Sequence, residues 1–376
     1  MYLYSLPVGA GLILLAVIPY IIYLLGVTFG KKPAELELTS PDTLPPVSIV
    51  ICAYNEELTI ARKIQSISSS TYPDELTEVV LVIDCSDDKT EEVAQRELEN
   101  VKFSWTIHTN EKRSGQNASL NTGISLTSNE IVIATDADLV WDAKSAEYLV
   151  QRLLSDDRLA AGTGDLLPNP GVDNITSMEK TYRSYYGRMA EWEYAHDATL
   201  SLNGCLLIFK KSIVSSIDAT KGANDANLAY KSIREGYKTF YDTRAPIYEE
   251  LPENLKKQYK QKVRRAKTLI QATLANVDLM KVNRPACRIF YPLRFWMYVI
   301  TPTLLVIGGV LFSIGLILCA PIIFVLLVGI LLAVSILKPE NLITSFMLNQ
   351  FYLLMGLYYP RRNAVIWKST SKKVGE

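Results

Sequence analysis

Apolar residues are spread unevenly along this chain, in three regimes. From Pro7 to Phe29 no charge occurs, and Lys31 and Lys32 follow at once. That length predicts one bilayer-crossing helix rather than the shorter core of a cleaved signal. Between roughly residues 47 and 245, short β-branched runs alternate with mixed stretches. Val47 to Ala53, Val79 to Ile83, Phe103 to His108 and Ile131 to Thr135 read as strands, continuous enough for a buried parallel sheet. Tyr54-Asn55-Glu56-Glu57 opens a helix through about Ser68, and Ser86 to Thr90 starts another with polar caps and early acids. Gly115 to Ser125 reads as a loop entering a helix. Such alternation predicts βαβ units and a doubly wound α/β sheet.

In the third regime, Phe295 to Leu337 runs without a charge, enough for two helices turning at Cys319-Ala320-Pro321. Leu342 to Tyr359 is a weaker span, with Asn349 and Gln350 inside it. If it crosses, the chain spans four times and the basic tail (Arg361, Arg362, Lys368, Lys372, Lys373) lies outside. If it is re-entrant, the tail stays cytoplasmic, as the positive-inside rule prefers. The lysines after the first span place the sheet domain in the cytoplasm on the same rule. Two amphipathic stretches remain. Residues 173–197 carry Met178, Tyr182, Tyr185, Tyr186, Met189, Trp192 and Tyr194 at partly helical spacing, which suits core packing or a membrane- or acceptor-facing helix. Residues 253–273 carry Lys256, Lys257, Lys260, Lys262, Arg264, Arg265 and Lys267, as a helix on an anionic membrane surface would. The expected division is a span at 1–32, a linker at 33–46, a sheet domain at 47–250, an interfacial segment at 251–295, C-terminal spans at 296–360 and a basic tail at 361–376.

Charge and cysteine count narrow the chemistry. Lys plus Arg and Asp plus Glu are each 39, a net charge of +0, so nothing argues for nucleic acid. The five Cys have no metal-ligand spacing, and His108 and His196 are the only histidines. Any metal must be held by carboxylates. Asp136-Ala137-Asp138, at the carboxyl end of a strand, offers two that face the same way. Such hard ligands suit Mg²⁺ or Mn²⁺ completed by phosphates, while an Asp capping the next helix is the alternative.

In order, the chain then shows Tyr54-Asn55-Glu56, Asp84, Gly115-Gln116-Asn117, Asp136-Ala137-Asp138, Asn203-Gly204, Asn224-Asp225 and Gln261-Lys262-Val263-Arg264-Arg265. This order resembles the membrane-bound family 2 inverting glycosyltransferases of GT-A fold, over residues 47 to about 300. The resemblance implies a nucleoside pocket of Ala53, Tyr54, Glu56 and Asp84. It makes Asp138 the metal ligand, with Asp136 shared between metal and ribose, and Asp225 the catalytic base. Arg264 would contact the diphosphate, with Gln261 and Gly204 on the diphosphate and acceptor side. A UDP- or GDP-sugar would be the donor, and a lipid-linked or glycan acceptor would receive the sugar. For Asp225 the alternative is a cap of a helix at 226–235; for Gln261, Arg264 and Arg265 it is a solvated or lipid-facing basic helix.

The chain departs from that pattern in several places. Arg265 stands where the family has a sugar-stacking Trp, which argues for single transfer over a processive polysaccharide synthase. Asn224 replaces a Glu. Gln116 replaces a common Lys and leaves phosphate contact to Lys112 or Arg113. Cys52 and Cys85 replace a Pro and a Gly and read as small buried fillers. These substitutions also keep open a catalytically silent nucleotide-sugar sensor.

Overall fold

The computed structural model describes residues 4–32, 44–169, 174–250, 255–338 and 341–358. Most of the expected linker and the whole basic tail lie outside them, as do the side chains of Met178 and Tyr182. The helices are α1 (Ser5–Phe29), α2 (Ile60–Ser68), α3 (Thr90–Leu98), α4 (Gln116–Leu126), α5 (Ser145–Leu154), α6 (Asn174–His196), α7 (Asn224–Arg234), α8 (Leu255–Ala275), α9 (Tyr291–Phe295), α10 (Thr301–Cys319), α11 (Pro321–Leu337) and α12 (Leu342–Tyr358). The strands are β1 (Val47–Ala53), β2 (Thr77–Ile83), β3 (Ser104–Thr109), β4 (Ile131–Asp136), β5 (Val140–Trp141), β6 (Leu159–Pro168), β7 (Leu206–Lys210) and β8 (Lys238–Glu249).

They form an eight-stranded sheet in the order β3-β2-β1-β4-β7-β6-β8-β5. The four strands read from the sequence are its parallel half. The other half is mixed: β7 runs antiparallel to β4 and to β6, β8 runs parallel to β6, and β5 antiparallel to β8. The doubly wound description therefore holds for the first half only. β1 is buried at all seven positions, so its residues feed both faces of the sheet. Val50 and Cys52 join one core with Leu120 and Ile124 of α4; Ile49 and Ile51 join another with Ile64 of α2 and Leu149 of α5.

The first of these cores continues without a break into Tyr23 of α1, Phe290, Tyr291, Met297 and Leu353. The apolar helices are thus packed onto the sheet domain itself. Among the described residues, two helices are long and apolar enough to cross a membrane, α1 and the continuous helix Ala286–Cys319 that contains α9 and α10. The latter starts well before the expected boundary at 296. They touch backbone to backbone: a Cβ on Gly9 would meet Phe312 N at 2.3 Å, and one on Gly315 would meet Leu6 N at 2.6 Å. Small residues permit this approach between helices in lipid, where packing replaces the hydrophobic effect. The expected hairpin break falls at Ala320, but α11 and α12 form a pair bent by 98°, as a broken span or a re-entrant segment would. α12 lies on the basic helix α8, with Gly356 against Ala266 and Lys267 and Phe351 6.0 Å from Tyr259.

α6 serves the core and the spans together. Met189 is buried, and Trp192 sits on Gly26 of α1 and on Gly30 just after it, 5.3 Å from Tyr23 and 5.0 Å from Phe290.

Candidate active site

The loops after β1 and β2 are knitted together before any ligand is considered. Asn55 N–H donates to Ser86 Oγ at 3.1 Å, Glu56 N–H to Thr90 Oγ1 at 2.7 Å, and Asp87 N–H to Asn55 Oδ1 at 3.0 Å. These bonds hold Tyr54 to Leu58 out of helical geometry, so α2 starts at Ile60 and not at the expected Tyr54. The Glu56 carboxylate accepts from Thr59 Oγ1 at 2.6 Å, and Ala53 O accepts the N–H of Asp84 at 2.8 Å. Cys85 is half-buried at φ 54°, in the left-handed region that favours glycine. Its reading as a buried filler is corrected by that geometry, whereas Cys52 is buried as expected.

Asp84, wholly buried, organises the loop before α4. Its Oδ1 accepts from Asn110 Nδ2 at 2.9 Å and Ser114 N–H at 2.7 Å; its Oδ2 accepts from Gly115 N–H at 2.9 Å and Arg113 Nε at 3.3 Å. Burial alone would raise its pKa, but these donors outweigh it and hold the group below the ordinary range. The Arg113 guanidinium lies 3.2 Å from the centre of the Tyr54 ring, a cation–π stack that forms one wall beside the loop.

Asp136 ends β4, and its Oδ1 accepts from Gln116 Nε2 at 2.9 Å. Burial first, and then the charge of Asp138, push it up to about 7, while Arg265 and Arg264 oppose the rise. The next helix, α5, begins at Ser145 with Lys144 before it, so neither carboxylate caps it and that alternative falls. The charge of Asp138 raises the proton affinity of Asp136, and no group of three or more His, Cys, Asp or Glu among the described residues could hold a metal by itself, so the pair fits a cation whose remaining ligands come from a phosphate-bearing substrate.

Beneath them lies a residue the sequence reading passed over. Lys63 of α2 is wholly buried, donates to Thr135 Oγ1 at 2.7 Å and sits 4.6 Å from the Trp141 ring centre. Burial pulls its pKa down to about 7 despite the nearby Asp136 and Asp138.

Asp225 lies inside the first turn of α7, which begins at Asn224, rather than at its cap. Its Oδ1 accepts the N–H of Ala226 at 2.7 Å and its Oδ2 the N–H of Gly204 at 3.1 Å. Burial raises it to about 6, against those two N–H groups and Arg265. A Cβ at Gly204 would meet Asn224 Oδ1 at 2.9 Å, so any larger residue there must push that amide aside. The turn before α7 rests on α8 through Gly222 (φ 84°), whose Cβ would strike Thr268 O.

α8 brings Gln261, Arg264 and Arg265 to the same side. Arg265 and Gln261 both donate to Glu249 Oε1, Gln261 at 3.2 Å, and Arg183 of α6 donates to Glu249 Oε2. Glu249 is the second residue missed. Burial would raise it, but Arg265 and Arg183 hold it down to about 2. Gln261 is buried and, with Arg265, bonded to Glu249, so the solvated-helix alternative does not describe those two residues.

The mixed sheet, the carboxylates beyond its parallel strands and the apolar helices at both ends define a GT-A-type α/β domain with candidate membrane spans. Residues 48–217 match the model described as glycosyl transferase family 2. A mannosyltransferase of Pyrobaculum calidifontis, solved in complex with GDP-Man and Mn²⁺, has the same fold, with a TM-score of 0.80 at 21% identity over 96% of this chain and 99% of that one. The poly-beta-1,6-N-acetyl-D-glucosamine synthase of Staphylococcus aureus (strain COL) is 28% identical over 245 residues, 63% of this chain and 57% of that protein. Its Staphylococcus epidermidis counterpart is 28% identical over 226 residues, 58% of this chain and 53% of its own length. The match thus spans little more than half of these relatives.

Proposed function

We propose that the chain is a membrane-anchored, inverting, metal-dependent glycosyltransferase that moves one sugar from a UDP- or GDP-sugar to a lipid-linked or glycan acceptor, at the cytoplasmic surface of the bilayer. One observation carries the reading. Gly204 N–H holds Asp225, and the next residue, Cys205, accepts the N–H of Asp136 at 3.3 Å. A candidate base and a candidate metal carboxylate are therefore fixed to adjacent residues at the start of one strand.

In this reading Ala53, Tyr54, Glu56, Asp84, Arg113 and Gln116 shape the nucleoside pocket, and Arg264 and Arg265 supply positive charge to the diphosphate. A Mg²⁺ or Mn²⁺ ion held by Asp138 and Asp136 would stabilise charge on the departing nucleoside diphosphate. Asp225 takes the proton of the acceptor hydroxyl as that oxygen attacks from the face opposite the leaving group. A base raised to about 6 suits this step, being ionised at neutral pH yet more basic than an ordinary aspartate. The GDP-Man and Mn²⁺ named for the mannosyltransferase of like fold agree with donor and cation.

A processive synthase is the second reading, favoured by the named activity of the staphylococcal relatives. Against it, α1 and the span Ala286–Cys319 are in backbone contact, so no glycan chain passes between them. The test is a donor screen by nucleoside-diphosphate release, with and without Mn²⁺ or Mg²⁺, in detergent containing lipid phosphates. One donor turned over only with metal, giving a short product, supports the proposal. High-polymer product selects the synthase, and biological activity retained by Asp225→Asn would leave the nucleotide-sugar sensor.

A further inference from the structure

The carboxylate of Glu193, on α6, is wholly buried where both spans meet the sheet domain. From the span side its Oε1 accepts the Tyr23 hydroxyl of α1 at 2.6 Å and Arg294 Nε, of the helix Ala286–Cys319, at 2.7 Å. From the sheet side its Oε2 accepts Thr199 Oγ1 and the N–H of Leu200, both at 2.9 Å. Arg294 closes the ring by donating to Ser201 Oγ and, at 2.8 Å, to the Tyr298 hydroxyl. One carboxylate thus fixes two membrane helices to the segment Thr199–Ser201.

That segment leads directly to the residues that set the site. Asn203 N–H donates to Thr163 Oγ1 at 3.1 Å, Gly204 N–H holds Asp225, and Cys205 O receives both Asp136 N–H and, at 3.0 Å, Thr135 Oγ1. Only Leu202 and Asn203 separate Ser201, tied to the spans, from Gly204, tied to the candidate base.

We infer that Glu193 is a positioning residue that makes the orientation of the base at Asp225 depend on how α1 and the helix Ala286–Cys319 are docked. The anchor then does more than hold the domain at the membrane: it completes the register of the 199–205 segment. Tyr23 is its most exacting contributor, since a single hydroxyl links α1 to the carboxylate. A buried ion pair of this kind adds little net stability over an apolar replacement, which suits a role in fixing one arrangement. Two buried hydroxyls and a guanidinium on one carboxylate act as a unit, so their effects are expected not to add.

The inference rests on reading Asp225 as the base, and the experiment separates the two. Full-length Tyr23→Phe, Glu193→Gln, the double variant and Asp225→Asn are compared in detergent for turnover, donor KM and thermal unfolding. Tyr23→Phe is expected to lower kcat about five-fold and Glu193→Gln by tens-fold, with donor KM unchanged, because misplacing a catalytic group acts on turnover. The double variant is expected to be no worse than Glu193→Gln alone. If Asp225→Asn is inactive while a folded Tyr23→Phe or Glu193→Gln keeps full kcat, the coupling is wrong and the base stands. If Asp225→Asn keeps full turnover, both fall. Should Glu193→Gln not fold, Tyr23→Phe reads the same quantity alone.

Discussion

Gly204 donates its backbone N–H to Asp225 Oδ2 at 3.1 Å, while a further N–H, from Ala226, occupies Oδ1. The carboxylate is therefore aimed by backbone, not by a neighbouring side chain, and keeps its remaining lone pairs for a proton. Burial sets its basicity against those two bonds, at about 6. If Asp225 is the proposed base it must be ionised to act, so kcat/KM should be flat above pH 7, half-lost near pH 6 and fall ten-fold per pH unit below it. Asp225→Asn should reduce turnover by at least about 10²-fold at every pH, the usual scale of a general base. Nucleoside-diphosphate release across pH 5–8 measures both; a profile with no limb near 6 would remove Asp225 from the role.

Gly204, just before β7, lies against the Asn224 side chain at the start of α7. In Gly204→Ala the new Cβ meets Asn224 Oδ1 at 2.9 Å and pushes on the residue before the base. Asn224 gives way more readily than the sheet, so the fold should survive with a melting point within a few degrees. Turnover should drop roughly 10–100-fold, as displacement of a catalytic group by about an ångström does. A variant with normal kcat would show that the Gly204 contact is dispensable.

The parallel half of the sheet was legible because strands buried on both faces are written as unbroken apolar runs, as in Ile131 to Thr135. β7, only Leu206–Lys210, lacks the flanking pattern that would have fixed its direction, so the mixed half was not read. Asp136, Asp138 and Asp225 stand out as candidates by their order along the chain. Lys63 is hidden by its type, since lysine reads as surface, yet its spacing carries a signal. Ile60, Lys63, Ile64 and Ile67 follow the i, i+3, i+4, i+7 rule of one buried helix face. Glu249 left no such trace: a carboxylate at the end of β8 gains meaning only when Arg183 and Arg265, on separate helices, close over it.

The buried Lys63 makes a prediction of definite sign. Its pKa is about 7 in the fold, against about 10.4 in an unfolded chain, so the unfolded state binds the extra proton between those values. Stability should rise with pH from about 7 to about 10 on its account. Lys63→Met should abolish that rise and raise the melting temperature at pH 7 by a few degrees. Unfolding curves at pH 7 and pH 9.5 for both proteins give the comparison; an unchanged pH slope in the variant would count against a buried, strained ammonium.

Glu249 runs the other way. Its pKa is held down to about 2, below the unfolded value near 4.3, so its contribution is complete above pH 4.3 and is lost as pH falls through about 2. Glu249→Gln removes it at neutral pH and leaves Arg183 and Arg265 without their shared anion. The expected cost is about 3 kcal/mol, the scale of breaking a buried ion pair by removing one partner. Denaturant unfolding in detergent at pH 7.5 is the measurement, and a cost below 1 kcal/mol would mean solvent already screens the cluster.

Arg265 occupies the position at which the resemblance expects an acceptor-stacking Trp, and its role here differs in kind. Its guanidinium pairs with Glu249 and lies in the field of Asp136 and Asp225, so it supplies charge where an indole would supply a flat face. Arg265→Trp should therefore lower turnover instead of creating a polymerase. Fold stability should fall by roughly 1–2 kcal/mol, a modest loss because Arg183 still pairs with Glu249 and half-exposed ion pairs contribute little. Donor KM should rise as well, since positive charge near the diphosphate is gone. Product size from labelled donor, read beside initial rates, decides the matter: longer glycan from the variant than from the wild-type chain would mean that position 265 faces the acceptor sugar after all.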